Sequence, residues 1–200
     1  DKAFTDFDRA LKLSPNYADA FLNRGMAAAE RHNFDQATSD LSQAIRLETR
    51  NPAATQARGN VYRSRGDYAR AIADFDQTIR LSPKSIPAYI ARGNAFQQSG
   101  KYAQAIRDYD QAIKLDPKYA AAFTERANTY ALSGKIDRAL QDYEQAIRFN
   151  PTYAGVYNSR AMLYQRRGDM KRAIADLDQA IKLDPTFAPA LKTRVEIAMD

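Results

Sequence analysis

The 200-residue chain contains no cysteine, so disulfides, thiolate metal sites and cysteine nucleophiles are excluded together. The same absence leaves the redox compartment open. Histidine occurs once, at His32, and one imidazole without a second does not make a metal site. No apolar run approaches the length needed to span a bilayer, which argues against membrane insertion. The N-terminal Asp1-Lys2-Ala3-Phe4 has neither an initiator Met nor a signal-peptide pattern, as expected of a start that was processed or cut from something longer. A block of one charge sign is also missing: the net charge is +6, but acidic and basic residues are interleaved, so the surplus alone does not name nucleic acid. There is no nucleophile–base constellation and no glycine-rich phosphate loop, so no catalysis and no cofactor are expected of these residues. What is present is ordinary for a folded, water-soluble chain, with 44% hydrophobic and 27% charged residues.

Written in rows of 34, nearly everything aligns. The recurring core reads Arg-Gly/Ala, then Gly-Asp/Lys, then Ala-Ile-x-Asp-aromatic-Asp-Gln-Ala-Ile-Lys/Arg-Leu-Asp-Pro. It is clear from Arg92 to Pro117, from Arg126 to Pro151 and from Arg160 to Pro185, and two earlier rows follow it with substitutions. Ala105, Ile106, Tyr109, Ala112, Ile113 and Leu115 fall at helical spacing, whereas a strand would require alternation. Gly66, Gly100, Gly134 and Gly168 recur where one helix must stop, and Pro83, Pro117, Pro151 and Pro185 recur after the next. Each row predicts a helix-turn-helix pair. The expected organisation is one array: a half-repeat at 1–17, full rows at 18–51, 52–85, 86–119, 120–153 and 154–187, and a half-repeat at 188–200.

These rows resemble the tetratricopeptide repeat (TPR) family, in an Arg-Gly and Asp-rich form of bacterial type. The first-helix signature is matched by Gly59/Tyr62, Gly93/Phe96, Ala127/Tyr130 and Ala161/Tyr164, and the second-helix signature by Ala71/Phe75, Ala105/Tyr109, Ala139/Tyr143 and Ala173/Leu177. Thr55 departs from the bulky opening residue, Ala28 from the aromatic, and Thr49 from the proline, with Pro52 behind an Asn51 N-cap expected to supply that break. The resemblance implies an all-α fold, a right-handed α-solenoid of helix-turn-helix repeats. It also implies a non-catalytic scaffold for a protein or extended peptide.

Arginine stands where the family usually has Leu, at Arg24, Arg58, Arg92, Arg126, Arg160 and Arg194. Asp recurs with the same period at Asp40, Asp74, Asp108, Asp142 and Asp176, with Asp6 in the first half-unit. A partly buried guanidinium needs a carboxylate partner, since leaving either charge unpaired costs about 3–5 kcal/mol. The two columns are therefore read as structural ion pairs between helices of one row, such as Arg92 with Asp108, with neighbouring-row pairing as the alternative. Outward-facing arginines that bind phosphate are the functional counter-reading. The Asp-x-Asp pairs, such as Asp74/Asp76 and Asp108/Asp110, cannot converge on one ion from positions two apart on a helix, so they are read as a solvated face.

The family's inward-facing first-helix positions, carried across, are Leu22 and Met26; Gln56, Asn60 and Arg63; Ile90, Asn94 and Gln97; Thr124 and Asn128; and Asn158, Met162 and Gln165. Asn60, Asn94 and Asn128 form a column, and an Asn side chain can pair with a peptide unit as donor and acceptor at once. This resembles the asparagine-lined grooves of some members and implies sequence-tolerant capture of peptide backbone. The family's carboxylate-holding subtype is not matched: the corresponding sets, Leu22, Met26, Ala57, Pro87 and Ala91, or Gln56, Asn60, Ala91, Ala121 and Glu125, lack its basic residues. Other readings are a self-assembling spacer, a targeting segment of a larger enzyme, and binding of nucleic acid, which the interleaved charge argues against. The array is expected to expose apolar ends, with Ala3, Phe4, Phe7, Ala10 and Leu11 at one and Leu191, Val195 and Ala198 at the other. A homo-oligomer through those ends is a further expectation.

Overall fold

The computed structural model describes residues 2–199, with side chains from Phe4 to Ile197; Ala3 and Ala198, expected at core positions, lie outside the described side chains. Among the described residues every regular element is an α-helix. In order they are α1 (Lys2–Leu13), α2 (Ala18–Glu30), α3 (Phe34–Leu47), α4 (Pro52–Ser64), α5 (Tyr68–Leu81), α6 (Ile86–Gln98), α7 (Tyr102–Leu115), α8 (Ala120–Leu132), α9 (Ile136–Phe149), α10 (Ala154–Arg166), α11 (Met170–Leu183) and α12 (Ala188–Met199). None of them is long and apolar enough to cross a membrane. The chain divides into two compact units, one ending at Lys101 and the other beginning at Tyr102, so the division falls inside the row 86–119.

In the first unit α2 packs on α3 and α4 on α5, while α1 packs on α2, α3 on α4 and α5 on α6. Consecutive helices thus stack as an all-α solenoid. The close approach within a pair comes from missing side chains. A Cβ on Gly59 would sit 2.6 Å from Cε1 of Phe75, and one on Gly25 would sit 2.8 Å from Cγ of Leu41. The second helix therefore presses its large residue straight onto the backbone of the first. Both Phe75 and Leu41 are fully buried, and each such side chain contributes about 1.5–3 kcal/mol. Thr55, the departure at the opening position, is buried too, and its hydroxyl meets that of Thr78 at 2.8 Å. Thr78 stands where the other rows have Ala44, Ala112, Ala146 and Ala180, so the two substitutions satisfy each other.

The second unit repeats the scheme with α8 on α9 and α10 on α11, joined through α7 on α8, α9 on α10 and α11 on α12. One core gathers Phe123, Leu140, Tyr143, Val156, Leu163 and Tyr164; another gathers Tyr157, Leu177 and Ala190.

The turns inside the rows close in the same way. Gly66, Gly100, Gly134 and Gly168 have φ near +76°, with no atom within 4 Å of a would-be Cβ, so conformation rather than space selects glycine. The following amide reaches back five residues in each case, as in Asp67 N–H to Tyr62 O (2.9 Å) and Lys135 N–H to Tyr130 O (2.8 Å). His32 holds the equivalent place at φ 59° and keeps the bond from Asn33 N–H to Ala28 O (2.9 Å). Its ring meets Phe34 edge-on. Asn51 caps α4, its side-chain oxygen accepting from the amides of Ala53 and Ala54, with Pro52 as the first helical residue.

Candidate functional site

The first helices are fixed in rotation by the arginine column. Arg24, Arg58, Arg126 and Arg160 each donate through Nε and Nη2 to both carboxylate oxygens of Asp40, Asp74, Asp142 and Asp176, at 2.7–2.8 Å. The four aspartates are buried, and these forked pairs are the strong geometry for guanidinium and carboxylate. Hydrogen bonds to Asp40 and Asp74 hold Arg24 and Arg58 above the usual arginine range. Burial by itself would lower Arg126 and Arg160, and their bonds to Asp142 and Asp176 outweigh it.

Four arginines of the column also reach backwards, to the second member of the Asp-x-Asp pair in the preceding row. Arg24 Nη1 donates to Asp8 at 2.6 Å, Arg92 Nη1 to Asp76 at 2.6 Å, Arg126 Nη1 to Asp110 at 2.5 Å and Arg194 Nε to Asp178 at 2.9 Å. Arg58 Nη1 reaches the Ser42 hydroxyl at 3.0 Å. Reading those second aspartates as merely solvated is therefore incomplete: they stay half-exposed but bind the next row. Within-row and between-row pairing are not alternatives, because a single guanidinium has enough donors for both. In the first half-unit Asp8 makes this contact. Asp108 is buried on α7.

The expected ligand positions differ in exposure within each unit. On the first unit, Met26 and Asn60 are exposed and line a cavity of about 200 Å³ with Phe34, Ala57 and Ser64. Gln56 lines another of about 740 Å³, rimmed by Pro52, Pro83, Lys84 and Pro87. Arg63, Ile90, Asn94 and Gln97 are half-buried on α4 and α6. Leu22, expected to face inward, is instead in the core with Leu41 and Val61.

On the second unit two cavities flank a polar spine. Tyr143 donates its hydroxyl to Asn128 Oδ1 at 2.6 Å, and Ser159 bonds to the same phenol from the next first helix. Burial pushes the Tyr143 phenol up to about 12, with a further rise from Glu125 and a counter-effect from Ser159. A cavity of about 300 Å³ between α8 and α10 includes Thr124, Glu125, Asn128, Tyr153, Gly155 and Ser159. The other, about 490 Å³, includes Asn128, Leu132, Tyr143, Ser159, Met162 and Arg166. Thr124 is largely buried and donates to Ala120 O; Asn158 is 8% exposed; Met162 is open at 49%.

Three buried side-chain atoms on these helices lack a partner: Gln56 Oε1, Arg63 Nε and Asn158 Oδ1. All three belong to residues of the expected ligand face. Asn158 turns only its amide nitrogen to a weak acceptor, Met162 Sδ at 3.9 Å. Of the end positions, Phe4, Phe7, Ala10 and Leu11 are half-buried, while Leu191 and Val195 are exposed.

A model of the TPR repeat matches residues 59–100, 93–134 and 127–168, and a model of the tetratricopeptide repeat matches 154–187. The chain belongs to the tetratricopeptide repeat family. TPR proteins are in general non-catalytic scaffolds for proteins or peptides, and the chain is a protein-interaction scaffold in that sense. Among solved TPR structures, MamA is similar over 82% of this chain and 96% of its own, at 24% identity and a TM-score of 0.72. YrrB, described as a TPR protein with an unusual peptide-binding site, is similar over 94% of this chain and 97% of its own, at 20% identity and a TM-score of 0.68. A TPR protein from Parabacteroides merdae is similar over 100% of this chain and 77% of its own, at 22% identity and a TM-score of 0.75. At such identities the likeness is one of fold. No curated protein matches the chain.

Proposed function

We propose that the chain is an adaptor that captures an extended peptide segment on the exposed faces of its first helices, with side-chain amides pairing to the ligand's backbone. The observation that carries this reading is the exposed Asn60, which lines a cavity of about 200 Å³ together with Met26, Phe34, Leu41 and Ala57. The Asn60 amide can donate to and accept from a peptide unit there, while the apolar wall of Phe34, Leu41 and Ala57 can cover a ligand side chain. YrrB, with its unusual peptide-binding site, supports the same direction.

The test uses peptides selected from a random display library on the whole chain. Asn60 is the clean probe on the first unit, because it is exposed on α4 beside a cavity. Asn60→Ala is expected to weaken selected peptides about tenfold with an unchanged melting temperature, and Gln56→Ala with Arg63→Ala to add to the loss. Asn128 is a poorer probe, since its removal takes an acceptor from Tyr143. Full affinity in the Gln56→Ala, Asn60→Ala, Arg63→Ala triple variant would place the ligand on another face.

A further inference from the structure

One cavity is built twice, once in each unit. The first-unit cavity that holds Asn60 and the second-unit cavity that holds Met162 correspond at a spacing of 102 positions, three rows of 34, for eight of the nine residues in each wall. Met26 answers to Asn128, Leu41 to Tyr143 and Asn60 to Met162, so each wall carries one methionine and one asparagine from successive first helices, in opposite order. The space opens at the residue one turn after the first of these. It is Ala29 in one copy and Ala131 in the other, where the remaining rows have Arg63, Gln97 and Gln165. A methyl group there leaves open the volume that a longer side chain covers.

The two copies differ around that common plan. The second is roomier, about 490 Å³ against about 200 Å³, and its wall is open: Leu132 is 59% exposed and Met162 is 49% exposed. The unbranched, polarizable Met162 gives that wall a surface that can repack on a ligand side chain. Leu132 stands where the first copy has Glu30, and Arg166 where it has Ser64, so the one charged residue of the wall changes sign and moves to the other first helix. No acidic residue lines the second cavity. Arg167 pairs with Asp137, whereas Arg166 is exposed and enters no ion pair among the described residues. A guanidinium beside apolar walls complements an apolar side chain with a carboxylate close by, since its fork of donors matches two carboxylate oxygens. The Asn128 amide, whose oxygen accepts from Tyr143, has an NH2 group to offer a peptide carbonyl.

We propose that the cavity bounded by Ala131, Tyr143 and Met162 is a second anchor site for a bound peptide: it receives an apolar side chain, Leu, Ile or Met, with an adjacent acidic group of the peptide held by Arg166. Ala131 makes the slot, and Arg166 selects the neighbour. The chain's net charge of +6 draws the same kind of acidic peptide. This rests on the peptide-capture reading and supplies the specificity that backbone recognition by asparagines lacks. The site lies in the other unit from Asn60, so either can fail without the other.

The experiment titrates the isotope-labelled whole chain with four blocked probes, the N-acetyl N-methylamides of glycine, leucine, leucyl-glutamate and leucyl-lysine, and reads backbone amide shifts by NMR. The three leucine probes are expected to move Ala131, Ser159 and Leu163, and the glycine probe to leave them in place. Leucyl-glutamate should bind there about threefold more tightly than leucyl-lysine at low salt, and the preference should vanish in about 1 M salt. Arg166→Gln should abolish the preference and keep the affinity of the plain leucine probe. Ala131→Gln should weaken every leucine probe about tenfold. Glutamine stands at this place in two other rows, so the melting temperature of Ala131→Gln is expected to be unchanged. The proposal is overturned if no leucine probe binds at tens of millimolar, if glycine binds there equally well, if leucyl-lysine binds as tightly as leucyl-glutamate, or if Ala131→Gln keeps full affinity. Any of these results beside library peptides that still depend on Asn60 would refute the second anchor and leave peptide capture standing; peptides indifferent to Asn60, with the leucine probes still seated here, would count against capture on the first unit alone.

Discussion

Replacing Arg126 by Leu restores the family's usual residue, yet the structure says it destabilises. The Asp142 side chain is 9% exposed and takes two of the guanidinium's bonds, so Arg126→Leu strands a buried carboxylate at a cost of about 3–5 kcal/mol. Asp110 takes the third bond but is 46% exposed, so Asp110→Ala should cost under about 1 kcal/mol. Arg126→Leu combined with Asp142→Leu removes both buried charges and should return to within about 1 kcal/mol of the parent. The assay is urea unfolding followed by circular dichroism, with hydrogen exchange across α8 and α9 to register local opening, since repeat arrays need not unfold in one step. A coupling energy of about 2 kcal/mol or more between Arg126 and Asp142, and a small one between Arg126 and Asp110, is expected. If Arg126→Leu alone is neutral, or if the two couplings are equal, burial does not set the strength of the clamp.

The turn glycines offer a purely conformational test: Gly134→Ala should cost about 1 kcal/mol although its Cβ meets nothing, and Gly134→Asn less, because Asn tolerates positive φ. Equal losses for Ala and Asn, measured by urea unfolding, would contradict the backbone argument. Tyr143 gives a pH dependence. Its folded value near 12 lies above the ordinary value of 10, so the neutral phenol contributes stability that is complete below about pH 10 and is lost as pH rises toward 12. Tyr143→Phe should remove that share of alkaline destabilisation and one late step from the ultraviolet tyrosine titration; a tyrosinate count unchanged until the other phenols have titrated, with no late step to remove, would refute it.

The period, the turn glycines and the arginine column were legible because each is a one-dimensional pattern: a helix repeats its faces, and a residue recurring every 34 positions recurs in the same environment. What was not legible depends on which neighbour a side chain turns toward. Asp74 and Asp76 look alike in sequence, but helical rotation sends one into its own row and the other toward the next. Thr55 reads as a defect until Thr78 is placed beside it, 23 residues away. Asn60 and Asn128 occupy equivalent positions, yet one is exposed and the other accepts from Tyr143, because the equivalent second-helix residue is Phe75 in the earlier row. Leu22, Thr124 and Asn158 stand at equivalent positions and are all buried, whereas Gln56 and Ile90 at the same position are half-buried, a difference set by neighbours and not by residue polarity.

The backward-reaching arginines also give the array a reading direction. At four joints a row offers a carboxylate to the arginine of its successor, so these rows are keyed to one another like directional couplings and not merely stacked through oil-like surfaces. Cohesion between rows then has a local strength that the chain can adjust by one residue at a time. Where Asp8, Asp76, Asp110 and Asp178 stand, the coupling is ionic; where Ser42 stands, Arg58 holds only a neutral hydroxyl. Within the first unit that joint is the weakest link of its kind, and unzipping that starts there would release α1–α3 as a block while leaving α4–α6 joined.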